Sequence, residues 1–179
     1  MQEQVAEAGE PFEALVEALT PALLRLAGRF AKDGEEAREL VQAALADAWE
    51  RRASLRDPNV AGPWLRRILV NRAINLHRRR RIWRSVAGLF GGRDEEDAVS
   101  DAVSVDDALH RARRLQEIQR AVSELPARQA AAVTLRYFEG LSLAEVADAM
   151  GIAAGTARVH LYRALGKLKA LGAREREEA

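Results

Sequence analysis

Leu141-Ser142-Leu143-Ala144-Glu145-Val146-Ala147-Asp148-Ala149-Met150-Gly151-Ile152-Ala153-Ala154-Gly155-Thr156-Ala157-Arg158 holds two short helical patterns that meet at one glycine. The second runs on into a basic, amphipathic segment. This is the layout of a helix-turn-helix, a unit that sets its second helix in a DNA groove. Ser142 caps the first helix, and Glu145 three residues on completes a capping box. Leu141 and Val146 occupy the positions of a hydrophobic staple. Gly151 stands where the chain must leave the first helix, and φ > 0 is expected there. Val146, Ala147, Met150 and Ile152 pack the inner side. In the second helix Ala157, Leu161, Ala164, Leu165 and Leu168 recur at helical spacing and form its buried stripe. Arg158, Val159, Tyr162 and Arg163 are left to face outward.

Working outward, residues 109–172 read as one small helical domain. Leu115, Ile118, Ala121, Val122 and Leu125 belong to one helix. Pro126 starts the next, which holds Ala130, Val133, Leu135 and Phe138, and Glu139-Gly140 forms a turn. Residues 11–81 read as a second helical domain. Thr20-Pro21 offers a cap and a first-position proline, a signal that a helix restarts, with Leu23, Leu24, Leu26, Ala27 and Phe30 as its apolar face. Asp33 and Glu36 form another capping box. Leu40, Val41, Ala44, Leu45, Ala48 and Trp49 follow at three- and four-residue spacing. Ser54 to Pro63 holds two prolines, Asn59 and Gly62, and reads as a loop. Trp64, read as core, opens a helix with Leu65, Ile68, Leu69, Ala73, Ile74 and Leu76 inside, ending in Arg78-Arg79-Arg80-Arg81. Residues 82–108 are a linker: a short apolar patch from Ile82 to Phe90, then an acidic stretch without a period. The expected fold is all-α, two small helical domains joined by a flexible acidic linker, the second carrying the helix-turn-helix.

Composition excludes several classes. The 179 residues contain no cysteine, so disulfides, thiolate metal sites and a cysteine nucleophile are ruled out. His77, His110 and His160 are scattered, and no phosphate loop or zinc-protease motif accompanies them. The sequential acids Asp94, Glu95, Glu96 and Asp97 lack the spacing of a calcium loop. No enzyme activity, metal or cofactor is expected. The N-terminus lacks the basic and apolar regions of a signal peptide. No stretch approaches the roughly 20 apolar residues of a spanning helix. A cytoplasmic protein with no direct membrane insertion is expected.

The net charge of +1 averages opposed blocks. Arg66 to Arg84 holds eight arginines and no acid, whereas Asp94 to Asp107 holds seven acids and no base. Arginines without acids repel one another, and a polyanionic partner relieves that repulsion. The acidic run admits two readings, a soluble spacer or a nucleic-acid mimic.

Glu124-Leu125-Pro126-Ala127-Arg128-Gln129, Leu135-Arg136-Tyr137-Phe138-Glu139-Gly140-Leu141-Ser142, Ala144-Glu145-Val146-Ala147 and Gly151-Ile152 to Gly155-Thr156 resemble, in order and spacing, the C-terminal motifs of the bacterial extracytoplasmic-function sigma factors. Glu39-Leu40-Val41-Gln42 with Ala48-Trp49, and Trp64-Leu65-Arg66-Arg67-Ile68 with Asn71 and Ile74, resemble that family's N-terminal motifs. The resemblance covers about residues 11–172. It implies a factor that binds core RNA polymerase, carries it to promoter DNA and helps open the −10 region. By that resemblance 11–81 binds polymerase and recognises and melts the −10 element, and 109–172 reads the −35 element. Arg158, Val159, Tyr162 and Arg163 would meet the −35 groove. Arg67, Asn71, Asn75, Arg78 and Arg79 would meet the −10 DNA, and Glu39, Leu40 and Gln42 the polymerase. The chain departs from the family pattern at Ala43, Asn75, Val159, His160 and Leu165. An anti-sigma partner is a further implication of the resemblance. A conventional regulator with the same type of helix-turn-helix accounts for 141–170 equally well, but not for the basic helix or the Glu39–Trp49 segment.

Overall fold

Alanine, leucine and arginine favour helix, and the described residues form helices joined by short turns, with no strand among them. The computed structural model describes residues 9–89 and 117–177, with side chains over 12–82 and 117–171. Most of the expected linker, with its acidic run, lies outside the described residues, as does Leu115.

Helix α1 (Gly9–Ala27) continues through Pro21, so the expected restart at Thr20-Pro21 is absent. An internal proline costs about 3 kcal/mol. Burying Leu23 and Leu26 beyond it contributes about 1.5–3 kcal/mol each, and both join the same core as Phe12. The Thr20 hydroxyl donates to the Val16 carbonyl at 2.7 Å.

Helix α2 (Gly34–Glu50) starts at Asp33, whose carboxylate accepts the Glu36 N–H at 2.8 Å. The expected capping box is only half formed. Glu36 does not return to the cap's own N–H; it accepts from the Lys32 N–H at 2.7 Å and pairs with Arg80. The guanidinium draws the carboxylate away from the reciprocal bond.

Two 3-10 turns follow, Arg52–Ser54 and Pro58–Val60, before helix α3 (Ala61–Leu89). The expected loop therefore ends at Val60 rather than Pro63. A helix's first turn has no use for its N–H groups, so Pro63 is accommodated there. The helix also runs past Arg81, and 82–89, read from sequence as linker, continue it.

In the C-terminal half a helical segment, α4, covers 117–124. Helix α5 (Ala127–Val133) begins after Pro126 and widens into a π-helical turn, Thr134–Phe138. Helices α6 (Leu143–Met150) and α7 (Ala154–Glu177) complete the chain.

The buried positions of α3 are 65, 68, 69, 70, 73 and 74. They cover roughly two-thirds of its circumference, too much for a helix packed on one side. Helices α1 and α2 pack against it, and so do α5 and α6. One core therefore joins Leu65 and Leu69 to Leu135, Val146 and Met150. A smaller cluster of Val122, Leu125, Ala130, Val133 and Ala164 ties α4 and α5 to α7.

Candidate nucleic-acid interface

The helix-turn-helix is held at both ends of α6. Glu145 accepts the Ser142 N–H at 2.8 Å while its own N–H donates to the Ser142 hydroxyl at 3.3 Å, closing the expected capping box. Those hydrogen bonds, chiefly with Ser142, hold the Glu145 carboxyl below its ordinary range, and Arg66 adds to the effect. Gly151 caps the helix at φ 64°, ψ 40°, the left-handed conformation that glycine adopts without strain. Leu141 and Val146 both join the core.

On α7, Ala157 and Ala164 are buried and Leu161 and Leu168 half-buried. Leu165 departs from expectation: it is 44% exposed. Its 100°-per-residue position lies on the flank of the stripe, and the line 157, 161, 164, 168 suffices to seat the helix. Arg158, Val159, Tyr162 and Arg163 face solvent together, with Tyr162 80% exposed. His160 sits half-buried on another side. Burial, then Arg128 and Arg163, lower its pKa below the ordinary imidazole value.

On α3 the outward residues Arg67, Asn71, Asn75 and Arg78 stand four, four and three positions apart, so they form one ridge, with exposed Arg79 beside it. Asn71 Nδ2 donates to the Arg67 carbonyl at 2.9 Å, which leaves its amide oxygen free of that bond. Arg80 is not part of this exposed set: it pairs with Glu36 and donates to the Phe30 carbonyl at 3.2 Å. Trp64 is half-buried and meets Phe12 edge-on at 6.5 Å, a core role.

A groove of about 670 Å³ separates this ridge from α2. Glu39 lines its α2 wall; Arg67, Asn71, Asn75 and Arg79 line the other. Arg72 clasps Asp47 across it through two hydrogen bonds, 2.6 Å from Nε and 2.5 Å from a terminal nitrogen. The Arg72 hydrogen bond lowers the Asp47 pKa, and Asp47 in turn raises that of Arg72. Glu39 and Gln42 are exposed on α2. Leu40, grouped with them from sequence, is only 6% exposed and holds the helix from beneath.

The two halves meet beside this ridge. A Cβ on Gly151 would lie 2.9 Å from Arg67 Nε. Arg66 shares a small cleft with Glu145 and Asp148, and Arg29 pairs with Glu139 at 3.3 Å. Sequence reasoning missed these pairs and the Asp47–Arg72 clasp. Their members lie far apart in the chain, and no local spacing announces them.

Two cationic helical faces on an all-helical scaffold define a nucleic-acid-binding protein with a helix-turn-helix. Residues 15–82 match Sigma-70 region 2, and residues 115–168 match Sigma-70 region 4. RNA polymerase sigma-E factor of Streptomyces coelicolor is 32% identical over 161 residues, spanning 88% of this chain and 84% of its own length. The ECF sigma factor SigM of Mycobacterium tuberculosis is 29% identical over 149 residues, 83% of this chain and 70% of its own. Among solved structures, the sigma factor RpoE in complex with the anti-sigma factor NepR from Bartonella quintana superposes with a TM-score of 0.61 at 29% identity. That match covers 89% of this chain and 95% of the other. The chain belongs to the extracytoplasmic-function RNA polymerase sigma factors. It directs core polymerase to specific promoters for transcription initiation. Among the described residues no helix is long and apolar enough to cross a membrane, and no group of three His, Cys, Asp or Glu could hold a metal.

Proposed function

We propose how the residues divide this task. The α7 face of Arg158, Val159, Tyr162 and Arg163 reads the −35 major groove. Arginine forks suit guanine edges and phosphates, and an exposed Val159 methyl suits thymine. The α3 ridge of Arg67, Asn71, Asn75 and Arg78, with Arg79, grips −10 DNA. Its arginines neutralise backbone phosphates, and the Asn amides offer both a donor and an acceptor to a base edge. Glu39 and Gln42, backed by Leu40, meet core polymerase. Residues 11–81 thus form the polymerase and −10 unit and 109–172 the −35 unit, with the chain between them joining the two. The observation that carries this reading is the single ridge on α3, beside a polar α2 wall and apart from the α7 face.

The two elements lie about 25 base pairs apart along the duplex, about 85 Å at 3.4 Å per step. Units packed so closely that Arg67 meets Gly151 cannot reach both, so the chain opens to act. A partner of the anti-sigma type, like the one bound to the Bartonella relative, favours the packed arrangement. The protein works in the cytoplasm, beside polymerase, and supplies binding rather than catalysis; bond formation belongs to the polymerase.

Footprinting of reconstituted holoenzyme on a supercoiled promoter tests the assignment. The double variant Arg158→Ala, Arg163→Ala should lose protection over −35 while still binding core enzyme. Asn71→Ala should keep −35 protection and open −10 poorly. Unchanged footprints in both variants would refute the division.

A further inference from the structure

The first helix of the helix-turn-helix and the helix it packs against carry opposite charge. Helix α6 holds two acids, Glu145 and Asp148, and no base, whereas α3 holds arginines and no acid. Three contacts follow this seam across the two halves. Arg29, in the turn after α1, pairs with Glu139, in the turn before α6, at 3.3 Å. Arg66 shares a cleft with Glu145 and Asp148. The Arg67 guanidinium lies against Gly151, at the C-terminal end of α6. A helix concentrates partial negative charge at that end, and α6 has no basic residue of its own in its last turn. Arg67, from another helix, supplies the missing cation.

In all three contacts the cation comes from the N-terminal half and the negative group from the C-terminal half. Leu65 and Leu69 share an apolar core with Val146 and Met150, which holds the halves together; the charges around it decide what can displace them. Nucleic-acid phosphates offer Arg67 the same ionic chemistry as α6 does, and one guanidinium cannot serve both at once. We propose that α6 is an autoinhibitory pad. Its acids and its C-terminal end occupy Arg66 and Arg67 in the free chain, so closure and the binding of single-stranded nucleic acid along α3 exclude each other. Exposed ion pairs are individually weak and screened by salt, so the pad is a bias that a polyanion can overturn rather than a lock. The device rests on the proposed role of Arg67 in gripping −10 DNA.

Arg29→Glu in the full chain tests it, because Arg29 lies outside the residues assigned to DNA or polymerase. A carboxylate placed against Glu139 should shift the free chain toward the open form, and its radius of gyration in small-angle scattering should exceed the parent's. The variant should then bind a fluorescein-labelled oligothymidylate of about 12 nucleotides about fivefold more tightly than the parent does, although it is itself more negative. The swap of Arg29→Glu with Glu139→Arg restores an ion pair and should return both readings to the parent values. Saturating oligonucleotide should expand the parent as well. Circular dichroism reports that the variants are folded. Binding by folded Arg29→Glu no tighter than the parent's, a swap that stays open, or an unchanged radius in the saturated parent would each overturn the pad. In reconstituted holoenzyme, where the halves are already apart, Arg29→Glu should leave the promoter footprints unchanged; the Asn71→Ala footprint reports on the promoter assignment alone.

Discussion

Gly151 shows how much one position can carry. It ends α6 at φ 64° and lies against the Arg67 guanidinium. Gly151→Ala should lower stability by about 1 kcal/mol, the usual penalty for a side chain in the left-handed region. The steric contribution is small, because the crowded atoms are the end of a flexible side chain. Urea unfolding with an unchanged slope would verify that value; a neutral substitution would mean that the turn relaxes. The glycine was legible in sequence because a helix-turn-helix needs a left-handed residue there. Its contact with Arg67, 84 positions away, was not. His160 adds a pH signature. Its folded pKa is depressed by burial and by Arg128 and Arg163, while Arg78 and Arg81 on α3 line a cavity that His160 also lines. As pH falls below about 6.5 the unfolded chain takes up the proton first, so stability drops until the lower folded pKa is passed and then levels off. His160→Gln should remove that component, and its denaturation midpoint should shift less between about pH 8 and about pH 5.5. An identical shift in parent and variant would exclude His160 as the source. Glu145, also lowered, titrates in a separate and more acidic window.

Among the elements, α6 is the one most fully written in its own residues. Eight residues are too few for a stable isolated helix, so its cap and its buried face, Val146, Ala147, Ala149 and Met150, decide whether it forms. Ser142→Ala should cost about 1 kcal/mol, and hydrogen exchange should rise first at the Glu145 amide, which the Ser142 hydroxyl accepts. Exchange unchanged at that amide would contradict the capping assignment. Local signals of this kind located α2, α5, α6 and α7. They misled at Pro21, where tertiary burial of Leu23 and Leu26 overrides a proline, and at Pro63, which a first turn tolerates. They could not foresee the half-formed box at Asp33, because Arg80 competes for Glu36 from 44 residues away. The candidate site divides the same way. Faces set by helical period, on α3 and α7, were readable; Leu165 was misplaced because the width of the buried stripe depends on what packs against it.

At the scale of the whole molecule, α3 is shared property. Its buried arc serves α1 and α2 on one side and α5 and α6 on the other, so the basic α3 ridge and the helix-turn-helix are held side by side. Two helical halves were legible from the sequence; their common core was not, since each half alone has a plausible apolar stripe. The packed arrangement brings Arg67 to Gly151, whereas the proposed −10 and −35 targets lie about 85 Å apart. Under the proposed division of the promoter contacts, activity requires separation of the two halves. The chain has no cysteine, so Ala46→Cys on α2 and Lys169→Cys on α7, both exposed, accept a donor and acceptor dye without background. Single-molecule energy transfer between them should report a short distance in the free protein and one longer by tens of ångströms in the promoter-bound holoenzyme. An unchanged distance in a holoenzyme that transcribes from its promoter would contradict the account.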